Sequence, residues 1–195
     1  PVGMLESAHI TNAVCEVIGL SPELFNEAEI EEIITALRDK GLLLCERYIN
    51  GRIGNNWYCV LLSGYTTASV MLGLHDNVER AVGLYNDCLG LYDSDGYGET
   101  LQYGNYASLT LIQARNLLLT YDPSLSERLP LDPIAGMVKW QAASLMYMKP
   151  LHMKSLHDGK ADSALTDADS KAYPRSVNFG DCAANFRPSG DILLH

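Results

Sequence analysis

The sequence predicts an all-α protein. Apolar residues recur at helical spacing through most of the first 147 residues, and almost no segment shows the strict alternation typical of a half-buried strand. Predicted helix starts near residues 3, 57 and 105 mark a helix-pair repeat of roughly fifty residues, as in stacked helical hairpins. Three such pairs form only an arc, so the expected architecture is a series of antiparallel helix pairs that does not close.

The first three helices are predicted from their capping residues and apolar stripes. The first covers residues 3–19. The second begins after Ser21, a favoured N-cap that a first-turn proline follows, and ends near Ile49. A third helix extends from Trp57 to about Leu74. Its apolar stripe contains small residues, which permit close contact with another helix.

The next three helices follow in the same way. Asp76 and Glu79 resemble a capping box at the start of the fourth helix. A loop is predicted over 93–104, a fifth helix over roughly 105–121 and a sixth over 132–147. The fourth helix is expected to bury the apolar face Val78, Ala81, Val82, Tyr85, Cys88 and Leu89.

The character of the sequence changes after Pro150, where Lys, Asp, Ser, Gly and His dominate without a helical period. We predict a long irregular loop over 148–187, with at most short strands, and the start of a further helix over 188–195. Residues 1–195 are expected to form one domain. The first residues carry neither a start methionine nor a basic leader, which indicates a fragment or a processed chain.

Composition and charge argue against several functional classes. A chain of 195 residues, 47% of them hydrophobic, can bury a substantial core, and it has no apolar run of about eighteen residues that would predict a membrane span. A formal net charge of −10 with scattered arginines argues against nucleic-acid binding, because phosphates need a basic stripe. The five cysteines lack zinc-ligand spacing, and most are expected to be buried free thiols. No cofactor and no metal are predicted.

Two polar clusters lie immediately before long apolar helical stretches. The first is Asn55, Asn56 and Trp57, and the second covers residues 95–106. If one helix runs up from the first cluster and the next runs down, the second cluster returns to the same end of the bundle. Helix N-termini offer unpaired amide hydrogens and a partial positive charge, which favour an anionic ligand. The sequence therefore predicts one site built from two helix starts.

Each residue of the first cluster has two possible roles. The amides of Asn55 and Asn56 can donate hydrogen bonds to a carboxylate, and Trp57 offers a flat apolar face on which a sugar ring can stack. Equally, Asn at a helix start is an ordinary N-cap, and Trp in the first turn is ordinary packing.

The second cluster also admits two interpretations. Glu99 can donate or orient a proton, and the phenols of Tyr103 and Tyr106, one helical turn apart, can act as acid or base. Equally, Asp95 and Glu99 suit a solvated turn, and the two tyrosines suit the edge of a core.

These residues resemble the bacterial heparinase II/III-like polysaccharide lyases and their alginate-lyase relatives. The helical toroid of that family carries an Asn-Asn-Trp or Asn-Asn-His motif and a later Asp-Gly, Glu, Tyr, Tyr motif. The resemblance extends from about residue 50 onward, and residues 178–181 are similar to a Phe-Gly-Asp element of the family. The matching residues here are Asn55, Asn56 and Trp57, then Asp95, Gly96, Glu99, Tyr103 and Tyr106.

The resemblance implies a partial (α/α) toroid that cleaves a uronate-containing anionic polysaccharide by β-elimination. The proton on C5 beside the carboxylate is removed, and the glycosidic oxygen on C4 leaves. Asn56, helped by a protonated Glu99, would stabilise the charge on the carboxyl group, and Tyr103 would transfer the proton. The substrate-binding residues would be Asn55, Trp57 and Tyr106. The family also implies a periplasmic or secreted protein, although no signal peptide is expected within these residues.

The sequence departs from the family pattern in its histidines. Trp57 stands where many relatives have His, and Gly104 stands where a His often follows the tyrosine. His152 and His157 in the long loop could supply an imidazole or bind a metal, but they match no ligand spacing. Members of that family also place catalytic His or Arg residues further along and in a C-terminal β-rich domain, which is expected in the full-length protein. Activity is therefore expected of the full-length protein rather than of this chain alone.

Two alternative functions stay open at this point. One is a glycoside hydrolase on a related toroid, with Asp95 and Glu99 as the carboxylate pair. The other is a non-catalytic carbohydrate-binding fragment, which the departures at Trp57 and Gly104 favour. Elimination leaves an unsaturated uronate that absorbs in the ultraviolet, whereas hydrolysis does not.

Overall fold

The computed structural model describes residues 4–51, 54–93, 96–143, 145–148 and 173–176, and these are mainly helical. The all-α prediction is therefore confirmed. The helices are α1 Leu5–Leu20, α2 Glu27–Ala36, α3 Leu43–Ile49, α4 Asn56–Met71, α5 His75–Leu89, α6 Leu101–Tyr121 and α7 Asp132–Ala143. Two short antiparallel ladders pair β1 Tyr92–Asp93 with β2 Gly96–Tyr97, and β3 Leu145–Met148 with β4 Tyr173–Ser176. None of the described helices combines the length and the apolar character that a membrane crossing requires.

Helix α4 is the centre of the core. It packs against α1, α3, α5 and α6, and twelve of its residues are buried. The predicted close contact is present at Gly64, where an added Cβ would lie 2.7 Å from the Cα of Ala8 and 3.1 Å from the Sγ of Cys45. Helix α1 can approach α4 this closely only because residue 64 has no side chain.

The Gly64→Ala variant is expected to lose about 1–3 kcal/mol of unfolding free energy, because the added methyl group must push α1 away from α4. The matched control is Gly83→Ala, since Gly83 is an exposed residue of α5 whose Cβ would meet nothing within 4 Å. That variant should gain up to about 1 kcal/mol from helix propensity. Urea unfolding measures the stability of both variants. Equal unfolding midpoints for the two would contradict the close packing at Gly64.

Helices α4 and α5 form a hairpin whose turn is set by Gly73. Gly73 has φ 65°, its N–H donates to the carbonyl of Val70, and the N–H of Leu74 donates to the carbonyl of Ser69. This Schellman motif ends α4, and α5 begins directly after it, at His75. All six predicted apolar residues of α5 are buried.

The predicted capping box at the start of α5 is wrong. The helix begins at His75, so Asp76 lies inside its first turn instead of at the cap, and no side chain caps this end. The carboxylate of Glu79 instead forms an ion pair with Arg128, at 2.8 Å.

The start of the second helix also differs from the prediction. Ser21 precedes a short 3-10 turn and makes no capping hydrogen bond. Asn26 caps α2 instead, because its side chain accepts from the N–H of Glu29 while Glu29 accepts from the N–H of Asn26. From α2 the chain continues through a π-helical segment, Leu37–Leu42, into α3, which ends at Ile49 as predicted.

Helix α6 begins earlier than predicted. The side chain of Thr100 accepts a hydrogen bond from the N–H of Tyr103 and caps the helix, so α6 starts at Leu101 and the predicted loop ends before it. The sixth predicted helix, α7, ends at Ala143 rather than at Tyr147, since 145–148 pair with β4.

The four described cysteines confirm the prediction of buried thiols. Cys15, Cys45, Cys59 and Cys88 are buried and free, and burial raises the pKa of Cys15 to about 11 and that of Cys45 to about 12. Cys182 lies outside the described residues, as do Asp95, His152, His157 and the helix predicted over 188–195.

Candidate functional site

The two predicted clusters meet where α4 and α6 begin. The Nδ2 of Asn56 donates a hydrogen bond of 2.9 Å to the Oε2 of Glu99, although the two residues are 43 positions apart. Asn56 is the first residue of α4, and Glu99 immediately precedes Thr100, the N-cap of α6. The two helix starts therefore lie at the same end of the bundle, as their directions predicted.

The amide of Asn56 has a defined orientation. Its side chain is buried, with 4% exposure, and its Oδ1 has no hydrogen-bond partner among the described residues. Its Nδ2 is bonded to Glu99, which is exposed. The donor end of the amide therefore faces the exposed carboxylate, and the acceptor end faces the interior. A donor is the group that stabilises developing negative charge.

Tyr97 adds a second buried polar group beside Glu99. Its ring packs edge-on against Tyr92 with centroids 5.3 Å apart, and its hydroxyl has no hydrogen-bond partner among the described residues. Burial raises the pKa of Tyr97 well above its ordinary value, and the nearby Cys59 and Glu99 raise it further. Unpaired buried polar atoms are uncommon, and a bound water or ligand is one physical explanation for them. Tyr97 belongs to the second cluster, but the sequence assigned it no role.

The other residues of the first cluster have structural contacts. Asn55 caps α4, because its Oδ1 accepts from the N–H of Trp57 at 3.1 Å. The half-buried ring of Trp57 lies with its centroid 6.3 Å from that of Tyr48. Capping and packing are thus observed for these two residues, and their contact with a sugar stays a prediction.

The two tyrosines of the second cluster both lie in α6. Tyr103 is half-buried in the first turn and packs against the core. The hydroxyl of Tyr106 lies 2.6 Å from the Nε2 of His9, which projects from α1. Burial raises the pKa of Tyr106, and the charge of Glu6 raises it further. The sequence did not predict a role for His9, because it is 97 positions away and belongs to neither cluster.

The structure explains the glycine that stands at position 104. Gly104 is buried, and an added Cβ would collide with the terminal methyl of Met137 and lie 3.0 Å from the Cβ of Tyr97. A larger side chain at this position would require the Met137 side chain to move.

Two further observations concern cavities and metal ligands. A cavity of about 420 Å³ lies between α1 and α2 next to the π-helical segment, but no residue of the two polar clusters lines it. Within the part of the chain that the structure describes, no three His, Cys, Asp or Glu side chains are grouped closely enough to hold a metal ion.

Comparison with known proteins finds no matching family model, no similar curated protein and no similar solved structure. The function must therefore be inferred from the chemistry of the site itself.

Proposed function

We propose that the protein is a polysaccharide lyase that cleaves a uronate-containing anionic polysaccharide by β-elimination, in a periplasmic or secreted setting and on a partial (α/α) toroid. The observation that carries the proposal is the hydrogen bond between Asn56 and Glu99, which joins the starts of two helices. A carboxylate already accepts from the Asn56 amide at 2.9 Å, so the amide is oriented to donate hydrogen bonds to carboxyl groups.

Electrostatics support this assignment. When the C5 proton leaves, negative charge builds on the adjacent carboxyl group, and preorganised donors are the usual means of stabilising it. Asn56 directs its Nδ2 toward the exposed Glu99, and one of the two hydrogens on Nδ2 is left for a substrate. The N-termini of α4 and α6 add a partial positive charge at the same end. Local dipoles are needed here, because the whole chain carries a formal net charge of −10.

The remaining roles are those that the resemblance implies. Tyr103, in the first turn of α6, donates its phenolic proton to the glycosidic oxygen that leaves C4. Glu99 orients the Asn56 amide and shares the charge of the substrate carboxyl group. The residues that bind the sugar rings are Asn55, Trp57 and Tyr106.

The reaction is tested by incubating the full-length protein with a panel of uronate polymers and recording ultraviolet absorbance and new reducing ends together. Elimination predicts that both signals rise in proportion. Reducing ends without ultraviolet absorbance would contradict the lyase and support a hydrolase. A carboxyl-reduced form of the cleaved polymer is the matched control, and we expect it to resist cleavage.

A non-catalytic carbohydrate-binding role is the second candidate. The departures at Trp57 and Gly104 favour it, since the polysaccharide lyases that the sequence resembles often have a histidine at these positions. This role predicts saturable binding of a uronate oligosaccharide with no unsaturated product from any polymer.

The Glu99→Gln variant is expected to separate binding from turnover. The glutamine side chain can still accept a hydrogen bond from Asn56, but it cannot share a proton with the substrate carboxyl group, so kcat should fall by about a hundredfold while KM changes little. Steady-state kinetics measure both constants.

The matched control for this variant is Glu79→Gln, which removes an exposed carboxylate that pairs with Arg128 on another part of the surface. Its kcat and KM should equal those of the wild type. A wild-type kcat in Glu99→Gln would remove Glu99 from the mechanism.

A further inference from the structure

Two of the buried cysteines lie at the same level of the hairpin that α4 and α5 form. Cys59 is the fourth residue of α4, and Cys88 is the last but one of α5. Gly73, in the turn between the helices, follows Cys59 by 14 residues and precedes Cys88 by 15. Because an α-helix rises about 1.5 Å per residue, both cysteines are about 21–22 Å from the turn. They therefore lie opposite each other in the antiparallel pair.

The side chains of the two cysteines are directed toward each other. Both residues are fully buried, with 0% exposure. A hydrogen bond with the Cys59 thiol raises the pKa of the Cys88 thiol, and burial raises it further. The pKa of Tyr92 is raised mainly by burial and further by both cysteines, so the two sulfurs lie beside the same phenol.

The other two described cysteines have different surroundings. Cys15 in α1 and Cys45 in α3 are also buried, but burial is the only cause that raises their pKa values. The sulfur of Cys45 faces Gly64 of α4, where an added Cβ would lie 3.1 Å from it. Among the described cysteines, a contact between two thiols is thus observed for Cys59 and Cys88.

We propose that Cys59 and Cys88 are an oxidation site, and that they form a disulfide between α4 and α5 when the protein folds in an oxidising compartment. The free thiols of the structure are the reduced form of this pair. The inference goes beyond the lyase function and rests only on the periplasmic or secreted setting that was proposed with it, where thiol oxidants are present.

The oxidant is a disulfide, either a small molecule such as oxidised glutathione or a disulfide oxidoreductase. One cysteine loses its proton, and its thiolate attacks the oxidant, which leaves a mixed disulfide and releases one thiol. The second cysteine then loses its proton and displaces the other thiol. Two thiols of the chain are oxidised, and the disulfide of the oxidant is reduced to two thiols, which take up the two protons. Because both cysteines are fully buried in the closed hairpin, the reaction takes place before α4 and α5 close.

The crosslink would lie next to the candidate site. Cys59 follows Asn56 by three residues, which is less than one helical turn. Burial raises the pKa of Tyr97, and Cys59 is the next largest cause, so this cysteine also lies near the second cluster. A disulfide closes the loop from residue 59 to residue 88 and restricts the unfolded chain, which holds the start of α4 against the end of α5.

The test refolds the full-length protein in a glutathione buffer, alkylates free thiols in urea and maps the tryptic peptides by mass spectrometry. Trypsin cleaves after Arg52, Arg80 and Arg115, so Cys59 and Cys88 fall in separate peptides. We expect these two peptides to be linked and to separate after reduction with dithiothreitol. The Cys88→Ala variant should lose the link and leave Cys59 alkylated, whereas the matched control Cys15→Ala should keep the link.

Urea unfolding provides a second measurement. The oxidised wild type is expected to unfold at a urea concentration about 1 M higher than the reduced wild type, because the closed loop restricts the unfolded chain. Cys15→Ala should keep this difference, and Cys88→Ala should have the same midpoint in both buffers. The peptide map of the wild type decides the question if Cys88→Ala fails to fold.

The outcomes separate this inference from the proposed function. A refolded wild type in which Cys59 and Cys88 are both alkylated without prior reduction would overturn the disulfide and leave the lyase function standing. Linked peptides in a protein that releases no unsaturated product from any uronate polymer would support the disulfide and overturn the lyase function.

Discussion

The Tyr103→Phe variant of the full-length protein is expected to lose about a hundred- to ten-thousandfold in kcat while it keeps most of its affinity for the polysaccharide. The physical reason is that the Tyr103 hydroxyl is the group proposed to transfer a proton. General acid catalysis by a positioned side chain typically raises the rate by such a factor. The ring is unchanged, so its packing against the core is preserved. Initial rates of ultraviolet absorbance over a range of polymer concentrations give kcat and KM separately.

The matched control for this variant lies on the same helix. Tyr121 is the last residue of α6 and is exposed, so Tyr121→Phe removes a hydroxyl at the end of the helix opposite the site. It should leave both constants unchanged. Near-normal kcat in Tyr103→Phe would remove Tyr103 from the mechanism, and a parallel loss in both variants would indicate a general effect on α6.

The Asn56→Ala variant is expected to lose about a hundred- to thousandfold in kcat, the usual effect of removing one donor from an oxyanion-type site. Its KM should rise as well, since the amide contacts the carboxylate in both the ground state and the transition state. The start of α4 should persist, because the side chain that caps this helix belongs to Asn55. Kinetics and circular dichroism of the same preparation separate the two effects.

Asn86→Ala provides the comparison for Asn56. The Nδ2 of Asn86 donates two hydrogen bonds, to the carbonyls of Val82 and Arg128, so its amide has a structural role. We expect this variant to lose stability and to keep wild-type kcat. An Asn56→Ala protein with unchanged kcat and KM would leave Asn56 with no role in the reaction.

The features that the sequence predicts best are those that local pattern determines. The apolar face of α5 was predicted residue by residue, because helical spacing alone decides which side chains can face a neighbour. The meeting of Asn56 with Glu99 was also predicted, since short turns between helices force their directions to alternate. The proton-transfer role of Tyr103 and the sugar contacts of Trp57 are still predictions.

The features that the sequence predicts poorly depend on competition between neighbouring signals. Ser21 and Asn26 are both favoured N-caps. Asn26 is the cap that forms, because it makes reciprocal hydrogen bonds with Glu29. Thr100 caps α6 within a stretch rich in turn residues, so the first turn of the helix was predicted to be loop.

His9 was missed for a different reason. No local pattern marks a residue whose partner is 97 positions away, and only the packing of α1 brings it to Tyr106. The same holds for the packing of Met137 beside Gly104, which depends on the position of α7. Contacts of this kind become visible only when the whole bundle is assembled.

We propose one site for a uronate carboxylate at the starts of α4 and α6. The most direct measurement is an NMR titration of the side-chain amide resonances of Asn56 with a uronate trisaccharide, with those of Asn86 as the internal reference. We predict that the Asn56 resonances shift saturably while the Asn86 resonances stay unchanged, and that the carboxyl-reduced trisaccharide has no effect. Unchanged Asn56 resonances when the trisaccharide is bound, or equal shifts with the carboxyl-reduced sugar, would contradict the claim.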